Sequence, residues 1–236
     1  AGAWTQLGAD IDGEASGDES GYSVSLSADG NTVAIGAKLN DGNGNASGHV
    51  RVYEFNAGAW TQLGADIDGE ASGDFSGWSV SLSADGNTVA IGAIFNDGNG
   101  GSSGHVRIYE FNAGAWTQLG NDIDGEATND RSGYSVGLSA DGNTIAIGAN
   151  RNDGNGYSSG HVRVYEFNAG AWTQLGNDID GEATNDRSGF SVNLSADGNT
   201  VAIGAPLNDG NGSDSGQVRN YEYKAGAWTQ LGSDIN

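Results

Sequence analysis

Carboxylates recur at alternate positions along this chain. Asp10, Asp12 and Glu14 stand two residues apart in D-I-D-G-E. The pattern returns at Asp66, Asp68 and Glu70, at Asp122, Asp124 and Glu126, and at Asp178, Asp180 and Glu182. Three carboxylates so closely spaced suit a hard cation, and calcium, which takes about 6–8 oxygen ligands, is the ion expected there. The stretch lacks the sixth-position glycine and the helical flanks of an EF-hand loop. The alternative is a solvated acidic loop that aids solubility.

A second acidic position, Asp29 in "LSADGNTVAIGA", recurs as Asp85, Asp141 and Asp197. Asp-Gly between two apolar runs is a hairpin corner, and a two-residue turn cannot wrap an ion. The "NDGNG" loops, beginning at Asn40, Asn96, Asn152 and Asn208, read as Gly/Asn turns rather than ligands. His49, His105 and His161 share one repeat position, which Gln217 fills in the fourth copy. Each begins a strand, so the three are expected far apart and at the surface. Arg51, Arg107, Arg163 and Arg219 alternate with valine and are expected to bridge neighbouring carboxylates or blades. "GYSVG" (Gly133–Gly137) matches a nucleophile pattern but lies inside a strand, where no elbow forms.

Trp4, Trp60, Trp116, Trp172 and Trp228 recur 56 residues apart. They are candidates for stacking on a glycan or for contact between subunits. The simpler reading is that each covers the outer edge of its own sheet.

The chain carries 31 Asp and Glu against 9 Lys and Arg, a net charge of -22. That charge repels phosphates and anionic headgroups, which argues against nucleic-acid binding. There is no cysteine, hence no disulfide framework. No apolar run is long enough to span a membrane, so no membrane insertion is expected. Residue 1 is Ala and no signal peptide is seen, so the chain is read as a mature product or part of something longer.

The elements that must position these residues follow from the repeat. A fixed 56-residue period signals a solenoid, propeller or array. Each copy holds four period-two runs, in the first copy Tyr22–Ser27, Thr32–Ala37, His49–Phe55 and Ala59–Gly64. Four antiparallel strands in meander order make a propeller blade. The expected fold is all-β, a β-propeller of four four-stranded blades in a single repeat domain. The blades cover about 22–64, 78–120, 134–176 and 190–232, with residues 1–8 as an extra N-terminal outer strand. Four blades could close a ring. Alternatives are two chains sharing an eight-blade ring, or a segment of a longer array.

The residues "SGYSVSLSADGNTVAIGA…SGHVRVYEF" resemble the FG-GAP repeats of integrin-α-like propellers. "SGYSV", "AIGAP" (Ala202–Pro206) and "GHVRVYEF" match that family's strands in order. The resemblance implies a propeller that binds a protein or glycan partner, often with calcium. The family's calcium loop lies between the first two blade strands. Only a short corner stands there in this chain, so that site does not carry over to Asp29 or its counterparts.

The function expected from this reading is non-enzymatic: a structural or adhesive protein, extracellular or at the cell surface, stabilised by calcium and self-associating through its terminal strands. Partners are a second copy or another extracellular protein or glycan. A glycan-binding module is the alternative. Near-uniform repeats argue against an asymmetric catalytic site.

Overall fold

A computed structural model describes residues 2–235. Ala1, the first residue of the expected N-terminal strand, lies outside the described residues. Four antiparallel sheets follow one another. Their strands are Ser23–Leu26, Thr32–Ala37, His49–Asn56 and Ala59–Gln62; Ser76–Leu82, Thr88–Ala93, His105–Asn112 and Ala115–Gln118; Ser135–Leu138, Thr144–Ala149, His161–Asn168 and Ala171–Gln174; and Ser191–Leu194, Thr200–Ala205, Gln217–Lys224 and Ala227–Gln230. The fold is all-β and propeller-like. No helix stands among the described residues, so none is long and apolar enough to cross a membrane.

Alternation puts large and small side chains on opposite faces of each blade. The core lies between blades rather than within them. Ala34, Val50 and Val52 of the first blade pack against Leu82, Val89 and Ile91 of the second, and two equivalent clusters fill the next two junctions. The backbone is joined as well. Ala28 N–H donates to Ala84 O at 2.9 Å, Ala84 to Ala140 at 2.8 Å and Ala140 to Ala196 at 2.9 Å. Ser25 Oγ accepts the Leu82 N–H at 2.9 Å.

Two expectations are corrected here. Residues 2–8 form no strand. Every other copy of "AWTQ" pairs with the third strand of its own blade, and Ala3–Gln6 has no such strand before it. Nor do the four blades close on themselves. Val24 and Leu26 of the first blade are 63% and 58% exposed, whereas Leu82, Leu138 and Leu194 are buried. The blades form an arc of a propeller.

The Asp29 corner spans Ala28–Asn31, longer than a two-residue Asp-Gly turn, because Ser27 N–H still bonds Thr32 O. Gly30 supplies the positive φ of 75° that the corner needs. Asp29 accepts from Ser27 Oγ at 2.7 Å and from Asn31 N–H at 2.9 Å, so its oxygens are committed locally. The third and fourth corners repeat this. Bonds from Ser139 and Asn143 hold the Asp141 carboxyl below its ordinary range, as bonds from Ser195 and Asn199 hold Asp197. A depressed folded value contributes stability above the unfolded value of 3.8, lost as pH falls through the lower folded value. Acid destabilisation from the corners is therefore expected below pH 4. Asp141→Ala should cost about 1 kcal/mol at neutral pH and little in acid, read from urea melts at both.

Candidate functional site

The acidic stretch between blades is not a free loop. Ile67–Asp68, Ile123–Asp124 and Ile179–Asp180 each form a short strand on the start of the preceding third strand, pairing Ile67 with Val50 and Asp68 with His49. The isoleucine is the anchor: Ile67, Ile123 and Ile179 are all buried. Pinning it directs the flanking aspartates outward, along the rim of the junction.

This pairing covers the histidines. His49, His105 and His161 are 1% exposed, which corrects the expectation of surface residues. Each stands beside a glutamate from the preceding acidic stretch and an aspartate from the following one. The groups are Glu14–His49–Asp66, Glu70–His105–Asp122 and Glu126–His161–Asp178, with one donor atom from each residue within 4.8 Å of the others. His105 Nδ1 lies 3.7 Å from Glu70 Oε2 and 4.0 Å from Asp122 Oδ2; His161 Nδ1 lies 3.7 Å and 3.9 Å from Glu126 and Asp178. These gaps are too wide for hydrogen bonds. They are a few tenths of an ångström wider than the roughly 3.4 Å between donors around a tetrahedral ion bonded at about 2.1 Å.

Three such groups could hold a metal ion. The histidines fit that role. Burial and the nearby Arg107 push His105 down to about 4, and burial with Arg163 does the same for His161, so both rings are neutral. His105 Nδ1, the nitrogen that faces Glu70 and Asp122, is buried without a hydrogen-bond partner; in His49 and His161 the unpartnered nitrogen is Nε2, on the side of the ring away from the glutamate. A buried polar atom left unpaired is costly unless something else satisfies it. The fourth copy supplies the contrast. Gln217 Nε2 donates to Glu182 Oε2 at 2.9 Å, closing the gap that histidine leaves open.

The other expected ligands are placed differently. Asp12, Asp68, Asp124 and Asp180 fall outside the three groups, and Asp10 donates no ligand to them but accepts from Gln6 Nε2 at 2.8 Å. The carbonyl of Asp12 accepts from Arg51, that of Asp68 from Arg107, that of Asp124 from Arg163 and that of Asp180 from Arg219, at 2.6–2.7 Å. Each arginine also faces the glutamate of the same stretch, Arg107 Nη1 lying 3.8 Å from Glu70. The arginines thus join blade to preceding connector. The "NDGNG" loops are bonded to the acidic connectors on either side: Asn40 Nδ2 donates to buried Asp18, and Asn43 Nδ2 to the carbonyls of Gly69 and Glu70.

Each aspartate of a metal-competent group also lines a cleft. Asp66 and Asp68 face Tyr109 and Trp116; Asp122 and Asp124 face Tyr165 and Trp172; Asp178 and Asp180 face Tyr221 and Trp228. A fourth cleft joins Asp10 and Asp12 to Tyr53 and Trp60. The clefts measure about 210 to 340 Å³. Their tryptophans are half-buried, each donating Nε1–H to a leucine carbonyl of the preceding repeat, Trp172 to Leu119 at 2.7 Å. Trp4 touches no such cleft and is fully exposed. Burial, with Asp122 alongside, pushes the Asp124 carboxyl up; burial with Asp178 does so for Asp180.

A model of the FG-GAP repeat matches residues 9–53, 65–109, 123–165 and 179–218. Comparison with curated proteins yields no match. Solved structures share the fold. The periplasmic gluconolactonase of Pseudomonas aeruginosa superposes with a TM-score of 0.61 at 18% identity, covering 91% of this chain and 56% of that one. A Bacteroides fragilis protein described as a 6-phosphogluconolactonase gives 0.60 at 14%, covering 90% and 54%. The hydrazine synthase of Kuenenia stuttgartiensis gives 0.54 at 17%, covering 89% and 53%. The chain spans about half the length of these structures. The likeness shows the fold alone, yet it overturns the expectation of a non-enzymatic adhesive or glycan-binding protein. These neighbours are named as enzymes, and none is named for adhesion.

Proposed function

The chain belongs to the FG-GAP repeat family, and from that premise we propose a metal-assisted hydrolase of sugar-type lactones or esters, working in the clefts between blades. The observation that supports this reading is the sharing of Asp66, Asp122 and Asp178 between a His/Glu/Asp group and an aromatic cleft. One imidazole nitrogen with two carboxylates favours zinc or manganese over calcium, which needs more oxygens. When bound, such an ion supplies Lewis acidity toward a carbonyl oxygen and a water of lowered pKa.

The chain's own residues do the rest. Trp172 and Tyr165 offer apolar faces to a sugar ring, leaving the wet side of the cleft to its hydroxyls. Asp124, with its raised carboxyl, accepts the proton of the attacking water and returns it to the leaving ring oxygen. Water adds to the carbonyl carbon, the ring C–O bond breaks, and a hydroxy acid leaves. The acidic surface helps expel that anionic product. An extracellular or cell-surface location belongs to the same proposal, supported by the strongly acidic composition, which keeps such a protein soluble.

The test is acid release from a sugar δ-lactone by the zinc- or manganese-loaded chain. Hydrolysis above the spontaneous rate is expected, falling on the order of 100-fold in Asp124→Asn combined with Asp68→Asn and Asp180→Asn. Metal binding without turnover of lactone or ester would remove the hydrolase reading.

A further inference from the structure

The near-identical repeats differ in charge and size where each connector meets the loop after the second strand. Glu19, Phe75, Arg131 and Arg187 hold one position there, and Leu39, Phe95, Arg151 and Leu207 another. In the second copy the two are apolar: Phe75 and Phe95 meet edge to face, with centroids 5.0 Å apart. In the first copy Glu19 forms an ion pair with Lys38, the residue before Leu39. In the third copy both positions are arginine. Arg151 N–H donates to Asp130 O at 3.4 Å, as Phe95 N–H does to Asp74 O at 3.3 Å, so Arg131 and Arg151 leave neighbouring stretches of backbone. Arg131 also reaches across the junction, its guanidinium 4.8 Å from the Phe95 ring of the second blade. Arg187 and Arg151 hold the same two positions one repeat later. Burial and the charges of Arg151 and Arg187 hold the Arg131 guanidinium below its ordinary value, so the three cations act on one another.

Cations gathered in this way repel unless an anion stands among them. Among the described residues, the ion pairs involve Lys38, the three histidines, Arg51, Arg107, Arg163 and Arg219, and none reaches Arg131, Arg151 or Arg187. The acids next to them in sequence are buried and turned inward. Asp130 accepts from Ala127 N–H and Asn152, and Asp186 from Ala183 N–H and Asn208. A chain with 31 Asp and Glu against 9 Lys and Arg thus keeps three of its cations together without a carboxylate. The backbone adds to the cost. Arg131 and Arg187 both stand at a φ of 56°, where glycine is favoured, yet both keep a long side chain.

We propose that Arg131, Arg151 and Arg187 bind a small multivalent oxyanion, a polyphosphate or a polycarboxylate, at the junctions between the second, third and fourth blades. Each guanidinium fork takes a carboxylate or phosphate in two parallel bonds, and three forks hold more than one such group. A nucleic acid or an anionic membrane would meet the rest of a surface carrying -22, whereas a small ion meets only the cluster. The arginines lie inside the arc, and none of them lines a tryptophan cleft, so this site is separate from the one proposed for hydrolysis.

Titration calorimetry at low ionic strength, without divalent cations, tests this with pyrophosphate in one arm and a tricarboxylate in the other. One ion per chain is expected, and the tighter arm identifies the source as phosphate or carboxylate. Affinity should fall about tenfold on raising salt from roughly 0.02 to 0.2 M. Arg131→Phe combined with Arg151→Phe restores the pair that Phe75 and Phe95 already make, so this variant folds. It should bind at least about tenfold more weakly and, free of the ion, melt at or above the wild-type temperature, since the repulsion is gone. Arg187→Gln should weaken binding about fivefold on its own. Lys224→Gln, an exposed cation on the fourth blade's third strand, should leave binding unchanged. Failure of both anions to bind, or wild-type affinity in either arginine variant, would overturn the proposal. So would equal weakening by Lys224→Gln, which would reduce the effect to overall charge.

Discussion

Replacing Gly148 by alanine is expected to break the junction between the third and fourth blades. Gly148 sits on the second strand of its blade, opposite Ser135 and Val162. A Cβ there would lie 2.9 Å from the carbonyl carbon of Gly189, closer still to its oxygen, and 2.5 Å from Ser135 Oγ. Ser135 donates to that same Gly189 oxygen at 2.8 Å, so the hydroxyl cannot turn away without losing its bond. Relief requires moving backbone, which opens the cluster of Ala146, Val164, Leu194 and Ile203. The cost should be about 3 kcal/mol or more, at the upper end of overpacking. Stability in a repeat array is nearly a sum of neighbour terms, so the loss is local. Hydrogen exchange should show fourth-blade amides losing protection before those of the first two blades. Gly204→Ala is the matched control. It has the same neighbours in sequence but no following blade: a Cβ there would clash only with the Ser191 hydroxyl, which no hydrogen bond holds and which can turn aside, so the variant should lie within about 1 kcal/mol of wild type. Equal losses in the two variants would mean that blade junctions are not what confines this position to glycine.

The strands were readable because period two is a local signal and the repeat states it four times. The Thr32–Ala37 run has the expected bounds, and the other three end within two residues of them. What sequence reading missed depends on pairing across the repeat. Asp10, Asp12 and Glu14 look like one ligand set because they are neighbours in the chain. In the structure Glu14 joins Asp66, from the next repeat, and the third donor is His49. The buried isoleucine between two aspartates was the available signal for the short strand that makes this so. The substitution of Gln217 for histidine was another: an amide replaces an imidazole where a buried polar contact must be kept, not at a free surface.

That same substitution defines the second large effect. The wild-type chain should take up three zinc or manganese ions, counted by elemental analysis after dialysis, one for each His/Glu/Asp group. The groups share no residue and lie in different blades, so they should load independently. His49→Gln, His105→Gln and His161→Gln should each remove one ion, and the triple variant all three. The fold should survive, because Gln217 already occupies this position with a 2.9 Å bond to Glu182. Glutamine at the other three positions can close the 3.7 Å gap in the same way. Metal at 100 times its dissociation constant should stabilise a wild-type site by about 2.7 kcal/mol. The triple variant should show no such gain while melting, metal-free, close to the wild-type temperature, since glutamine exchanges an unpaired ring nitrogen for an unpaired amide oxygen, as at Gln217 Oε1. A triple variant that still binds three ions would place the metal on carboxylates alone. Retained binding of calcium but not zinc would point the same way, returning the site to the acidic stretches themselves.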